Sequence, residues 1–276
     1  MLNGLKFNRH ISLIALIAIL LVIFLGSRPK FVVKGENQSV QSNQSTAEKS
    51  SEDHKVELKQ EIKQQISSLK LELASVSDNS KKAIIFSKVA SLFASESVFD
   101  SAGYYSQKLA EIQPNTLSWI MVGDYYYQAY SLALDPIKIE QFMQRTRDAY
   151  TKVLELEPSN LHAKTNLAMT FVRSDAPMKA ISMLREVLDQ EPNYVPALMS
   201  LGGLSMQSNQ YDKALARFQY VLKIDPKNVN AKIGMAYSLI ELNNVEKAKV
   251  IFKEVLKEDI DNSLKDEITK TLNNLK

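Results

Sequence analysis

Three histidines are the only imidazoles in the 276-residue chain, and no cysteine accompanies them. His10, His54 and His162 lie far apart in sequence, each in a different compositional context. A metal site or a His-based acid–base pair needs a second ligand or partner at a defined spacing, and none is offered. The missing thiol excludes disulfide frameworks, thiolate zinc sites and cysteine nucleophiles together. Gly202-Gly203 stands inside an apolar helical stretch, so it reads as packing and not as a phosphate cradle. Glu155 and Glu157, like Asp189 and Glu191, fall at the ends of helical patterns, where carboxylates are solvated. The Tyr125-Tyr126-Tyr127 run reads as helix packing. Lys and Arg number 34 against 31 Asp and Glu, a formal charge of +3 that gives no footprint for nucleic acid. The expectation is therefore a protein that is not an enzyme and holds no cofactor and no metal; its chemistry is non-covalent recognition.

Recognition requires a surface, and the surface follows from a repeat. Pro158, Pro192 and Pro226 stand 34 residues apart, inside the similar stretches LELEPSN, LDQEPNY and LKIDPKN. An earlier copy, AEIQPNT, places Pro114 44 residues before Pro158, one period plus ten. With each proline numbered 32, small residues recur at positions 8 and 20: Ala90 and Ala102, Ala168 and Ala180, Gly202 and Ala214, Ala236 and Ala248. Small side chains at such spacing let two helices approach closely. Large residues recur at positions 4, 7, 11 and 24. Proline at 32 ends a helix and forces a turn.

This period and these signature positions resemble the tetratricopeptide repeat. The resemblance implies an all-α fold, a right-handed α-solenoid of helix-turn-helix units. The units run 83–116, 117–160 (with the insertion), 161–194, 195–228 and 229–262. The extra residues around Ser131 to Glu140 are expected to form a loop on one rim. Two amphipathic helices flank the array, 55–77 with a stripe Leu58, Ile62, Ile66, Leu69, Leu73, Val76, and 263–276 with Leu264, Ile268, Leu272 and Leu275. Each would cap an end of the stack.

The N-terminal region reads differently. After a tail at 1–10, residues 11–27 are 17 uncharged residues, about 25 Å as a helix. No small-x-small pair follows the apolar core, so an uncleaved transmembrane signal anchor is favoured over a cleaved peptide. Lys6 and Arg9 before the span balance Arg28, Lys30 and Lys34 after it, leaving orientation open to the positive-inside rule. The short leading tail favours a single-pass bacterial inner-membrane protein with an exported, periplasmic repeat domain; a cytoplasmic-facing domain is the alternative. Residues 28–54, rich in Ser, Gln and Asn, read as a flexible tether.

The resemblance also implies a ligand groove lined by the first helix of each unit, through positions 2, 5, 9, 12 and 13. Carried over, these offsets give Ile84, Ser87 and Ser91; then Leu117, Ile120, Asp124, Tyr127 and Gln128; then His162, Thr165, Met169, Val172 and Arg173. Met199, Met206 and Gln207 follow, and finally Asn230, Ile233, Tyr237, Ile240 and Glu241. The core of this set is Ile120, Asp124, Tyr127, Thr165, Met169, Arg173, Met199, Met206, Ile233 and Tyr237. The carboxylate clamp of chaperone-docking relatives is absent, since its positions read Ser87 and Ser91, Ile120 and Asp124, Thr165 and Met169. A methionine- and tyrosine-rich wall suits an apolar or helical peptide. The expected function is a membrane-anchored scaffold or adaptor for a protein or peptide partner. Two rivals stand beside it: an assembly factor of the cytochrome c maturation type, and a structural homo-oligomer.

Overall fold

The computed structural model describes residues 58–275 except Arg173 and Asp175. The tail, the apolar span 11–27, the tether and the start of the helix expected at 55 lie outside these residues, as does the groove position Arg173. Among the described residues no helix is long and apolar enough to cross a membrane.

Every element among the described residues is helical. The flanking helix α1 (Gln60–Ser75) leads into five helical pairs: α2 (Asn79–Ser95) with α3 (Phe99–Ile112), α4 (Thr116–Leu132) with α5 (Pro136–Leu156), α6 (Leu161–Met169) with α7 (Pro177–Gln190), α8 (Val195–Gln207) with α9 (Tyr211–Ile224), and α10 (Val229–Glu241) with α11 (Val245–Val255). A last helix, α12 (Asn262–Asn274), follows. Each pair packs on the next, and the first helices α4, α6, α8 and α10 also touch one another in sequence.

Local chemistry sets these boundaries. Asp78, Asn115, Asp135, Asn160, Asn228 and Asp261 each accept a backbone N–H with the side chain at a helix start, satisfying donors a free end would leave unpaired. Within the first, fourth and fifth pairs, the connecting turn passes through Ser97, Asn209 and Asn243, whose φ values are 67°, 57° and 60°. Val98, Gln210 and Asn244 then donate back to the carbonyls of Phe93, Ser205 and Leu239, the six-residue closure that ends a helix through a left-handed residue.

The small residues at positions 8 and 20 are all fully buried. Opposite position 8 sits the wedge of its own unit at position 24: Tyr150, Leu184, Phe218 or Phe252 in the second to fifth units. Phe218 lies between Gly202 and Gly234, where an added Cβ would come within 2.6 Å of its ring on either side. Gly123 faces Tyr150 in the same way, at 2.6 Å. Burying such a ring contributes about 2–3 kcal/mol from its apolar area alone. At the ends, α1 lays Ile62, Ile66, Leu69 and Leu73 on the cluster around Val89 and Phe93. Helix α12, with Leu275 just past its end, lays Leu264, Ile268 and Leu272 on the cluster of Ile233 and Phe252.

The insertion corrects the sequence reading. It is not a loop: α4 and α5 run 17 and 21 residues with only Ala133 to Asp135 between them, whereas α8 and α9 run 13 and 14. Asp135 caps α5 and Pro136 opens it, a start signal that propagates helix instead of breaking it. The added turns hold each other through Tyr127, Tyr130, Ile139, Phe142 and Met143, while Leu132, Leu134 and Ile137 stay exposed at the tip.

Candidate peptide-binding face

The face formed by the first helices is sparing in charge. Helix α4 carries Asp124 alone, and α8 carries no charged residue. Around Asp124 three helices converge. The Tyr150 hydroxyl, from α5, donates to Asp124 Oδ1 at 2.6 Å. His162 Nε2, at the start of α6, meets the same oxygen at 2.6 Å. Asn166 Nδ2, one turn on, donates to the Tyr150 hydroxyl at 3.0 Å. An ionised carboxylate has acceptor capacity only, so the imidazole proton lies on Nε2 in this arrangement. Hydrogen bonding to Asp124 raises the His162 pKa above 6.5, against an opposing effect of burial. Burial, reinforced by Asp124, pushes the Tyr150 phenol well above its usual range, so it stays a neutral donor.

The carboxylate and imidazole side chains keep 40% and 44% of their surface, so the pair is reachable from solvent. Asp124 is thus an acceptor held directly by Tyr150 and His162, with Asn166 bracing the Tyr150 hydroxyl. Among the described residues no group of three metal-ligating side chains forms.

The carried-over positions divide by burial. Ile120, Asp124, Met169 and Met199 are half-buried and stand on the open face. Ile84 and Leu117 are 55% and 68% exposed. Tyr127, Thr165, Met206, Ile233 and Tyr237 are buried and are not available to a ligand in this conformation. The reason is shared geometry: the positions that face a ligand at one point of the wall face the next first helix at another. Met206 meets Ser238 of α10, at 3.0 Å between sulfur and hydroxyl. Tyr127 packs against Met143 and Met169. Ile233 and Tyr237 lie under α12, where the Tyr237 hydroxyl reaches Glu267 and burial pushes its pKa up to about 12. The C-terminal helix thus closes the wall at the fifth unit. Ser87 and Ser91 line a separate cleft of about 610 Å³ between α1 and α2, with Leu69 and Leu92.

Sequence reasoning treats Asp124 and His162 as independent wall positions and misses Tyr150 and Asn166. The signal is present, since positions 9 and 2 of consecutive units are neighbours when first helices stack. Also missed is Arg147 of α5, whose guanidinium donates to the Thr170 hydroxyl at 3.0 Å and carbonyl at 2.7 Å. That contact caps the nine-residue α6.

Comparison with known proteins agrees on the architecture. A tetratricopeptide repeat family model matches residues 172–219 and 205–264. A tetratricopeptide repeat protein from Parabacteroides merdae superposes with a TM-score of 0.52 at 13% identity, covering 76% of this chain and 91% of its own. A thermophilic TPR protein of Thermus thermophilus superposes at 0.50, with 15% identity and coverage of 65% and 91%. The MamA protein gives 0.46 at 18% identity, with coverage of 64% and 92%. No curated protein matches the chain by sequence. At these identities the likeness is one of fold, and the fold is an all-α repeat solenoid of the tetratricopeptide type.

Proposed function

We propose that this tetratricopeptide-type array is a protein-interaction scaffold without catalytic activity, held at a membrane by residues 11–27 with its repeats on the exported side. The partner is a protein segment, extended or helical, laid across the first-helix face. The observation that carries the reading is Asp124: a half-exposed carboxylate, fixed by Tyr150 and His162, on a wall that also presents Ile120, Met169 and Met199. Methionines adapt to irregular apolar surfaces. A preorganised acceptor among them selects a segment that places a basic or N–H group beside apolar side chains. Anchoring raises local concentration, so modest contacts suffice.

The test is proximity crosslinking from the full-length protein in its native membrane, with Asp124→Lys, Met169→Lys and Met199→Lys compared with the unaltered chain. Loss of a dominant captured protein in these variants supports the reading. Capture that survives all three sinks it, and a catch dominated by the chain itself turns the reading toward self-assembly.

A further inference from the structure

A second cleft, away from the first-helix face, lies between α1, α3 and α5. It encloses about 350 Å³, and its walls include Lys70, Tyr104, Tyr105, Phe142 and Arg145. Aromatic rings form its floor. Phe93 and Tyr105 stack with centroids 5.6 Å apart, and Tyr126 and Phe142 stack at 6.1 Å. A cation stands over each pair. Lys70 Nζ sits 5.7 Å from the Phe93 ring and 5.6 Å from Tyr105. The Arg145 guanidinium lies 5.1 Å from the Tyr126 ring and donates to its hydroxyl at 2.5 Å.

Neither cation has a carboxylate within ion-pair distance among the described residues. The lone acid on the wall, Asp100, lies in the first turn of α3 and accepts the Ser101 N–H, so the helix N-terminus already offsets its charge. Tyr104, 48% exposed, borders the opening. Gln141 and Phe142 belong to the N-terminal part of α5 that the insertion adds relative to α9, and Arg145 follows within one turn. The extra turns therefore contribute Gln141 and Phe142 to one wall of the cleft.

We propose that this cleft is a second docking site, for an acidic peptide segment bearing an aromatic side chain. Its carboxylates meet Lys70 and Arg145, and its ring lies against Tyr104 and Phe142. Charge complementarity argues for that occupant: two cations without acidic partners oppose one capped carboxylate, on an aromatic floor suited to a planar group. The site is independent of the first-helix face, and its partner need not be the same molecule.

The probe is acetyl-Glu-Glu-Phe-Glu-Glu-amide, titrated into the full-length chain at low salt, with glutamine and lysine versions as controls. The sole tryptophan, Trp119, packs in the cluster of Tyr126 and Phe142, so its emission reports occupancy. The expected result is saturable binding about tenfold tighter than that of the glutamine peptide, weakened by salt. The double variant Lys70→Gln/Arg145→Gln, with its helical content checked by circular dichroism, loses that preference, and Lys70→Arg/Arg145→Lys keeps it. Equal affinity for the glutamine peptide, tighter binding of the lysine peptide, or undiminished binding by the double glutamine variant each overturns the proposal.

Discussion

The second and fourth units place the same device at the same two positions and use it for different ends. In each, a glycine at position 8 faces an aromatic wedge at position 24: Gly123 with Tyr150, Gly202 with Phe218. The wedge of the fourth unit is a hydrocarbon ring clasped by glycines from two units. That of the second carries one additional oxygen, and around it Asp124, His162 and Asn166 assemble. The fourth unit has no acid to answer such an oxygen, because Gly203 stands where Asp124 does in the second. Packing is thus common to both seams, and a hydroxyl together with the acid that receives it separates an apolar joint from one that presents a polar group to solvent.

The largest effect is expected from removing the dry wedge. Phe218→Ala leaves a cavity between Gly202 and Gly234 and should cost about 3–5 kcal/mol. Because stacked repeats couple mainly to their neighbours, the loss should appear in hydrogen exchange as opening of α8 to α11, with α2 to α5 nearly unchanged. Uniform loss of protection along the array would contradict that division.

Exchanging the hydroxyls sharpens the comparison. Phe218→Tyr buries an oxygen with no carboxylate to receive its proton and should destabilise by about 1–3 kcal/mol, whereas Tyr150→Phe removes a satisfied one and should cost about 1 kcal/mol. Urea unfolding of both variants ranks them; a reversed order would mean that the second joint depends on its polar cluster more than on its ring.

The smallest effect is that of pH. The folded pKa of His162 is raised, chiefly by its hydrogen bond to Asp124. Its contribution is therefore fully present below the unfolded value near 6.5 and fades as pH rises through the folded value. With the imidazole 44% exposed, solvent screening holds that contribution below about 1 kcal/mol. An NMR titration of His162 should give a pKa above 6.5 in the unaltered chain. In Asp124→Asn the value should fall, because burial then acts without its counterweight.

These contrasts also mark what the sequence can convey. The period of 34, the small residues at positions 8 and 20 and the prolines at 32 are all direct consequences of stacking, and the repeat class is legible in them. The apolar stripes of α1 and α12 are legible for the same reason, since one buried face leaves a 3.6-residue rhythm. The insertion reads as a loop only when its length is weighed and its chemistry is not: Asp135-Pro136 is a helix start. The wall residues are harder. Positions 5, 9 and 12 serve both ligand and neighbour, and only three-dimensional stacking decides which. Tyr237 cannot be recognised as buried until α12 is seen to lie across it. The cleft of Lys70 and Arg145 joins residues 75 positions apart on helices with no shared periodic signal.

An array of like units has a weakness as a receptor. A partner that fits one stretch of wall fits the stretch one unit further along almost as well, and sliding between equivalent placements blurs where its other end will lie. The long α4–α5 hairpin removes that equivalence. At 21 residues α5 is about 10 Å longer than the 14-residue α9, so one station along the solenoid differs in height from the rest. For a segment bound as proposed above, that station would act as a fixed zero from which distances along the partner are set.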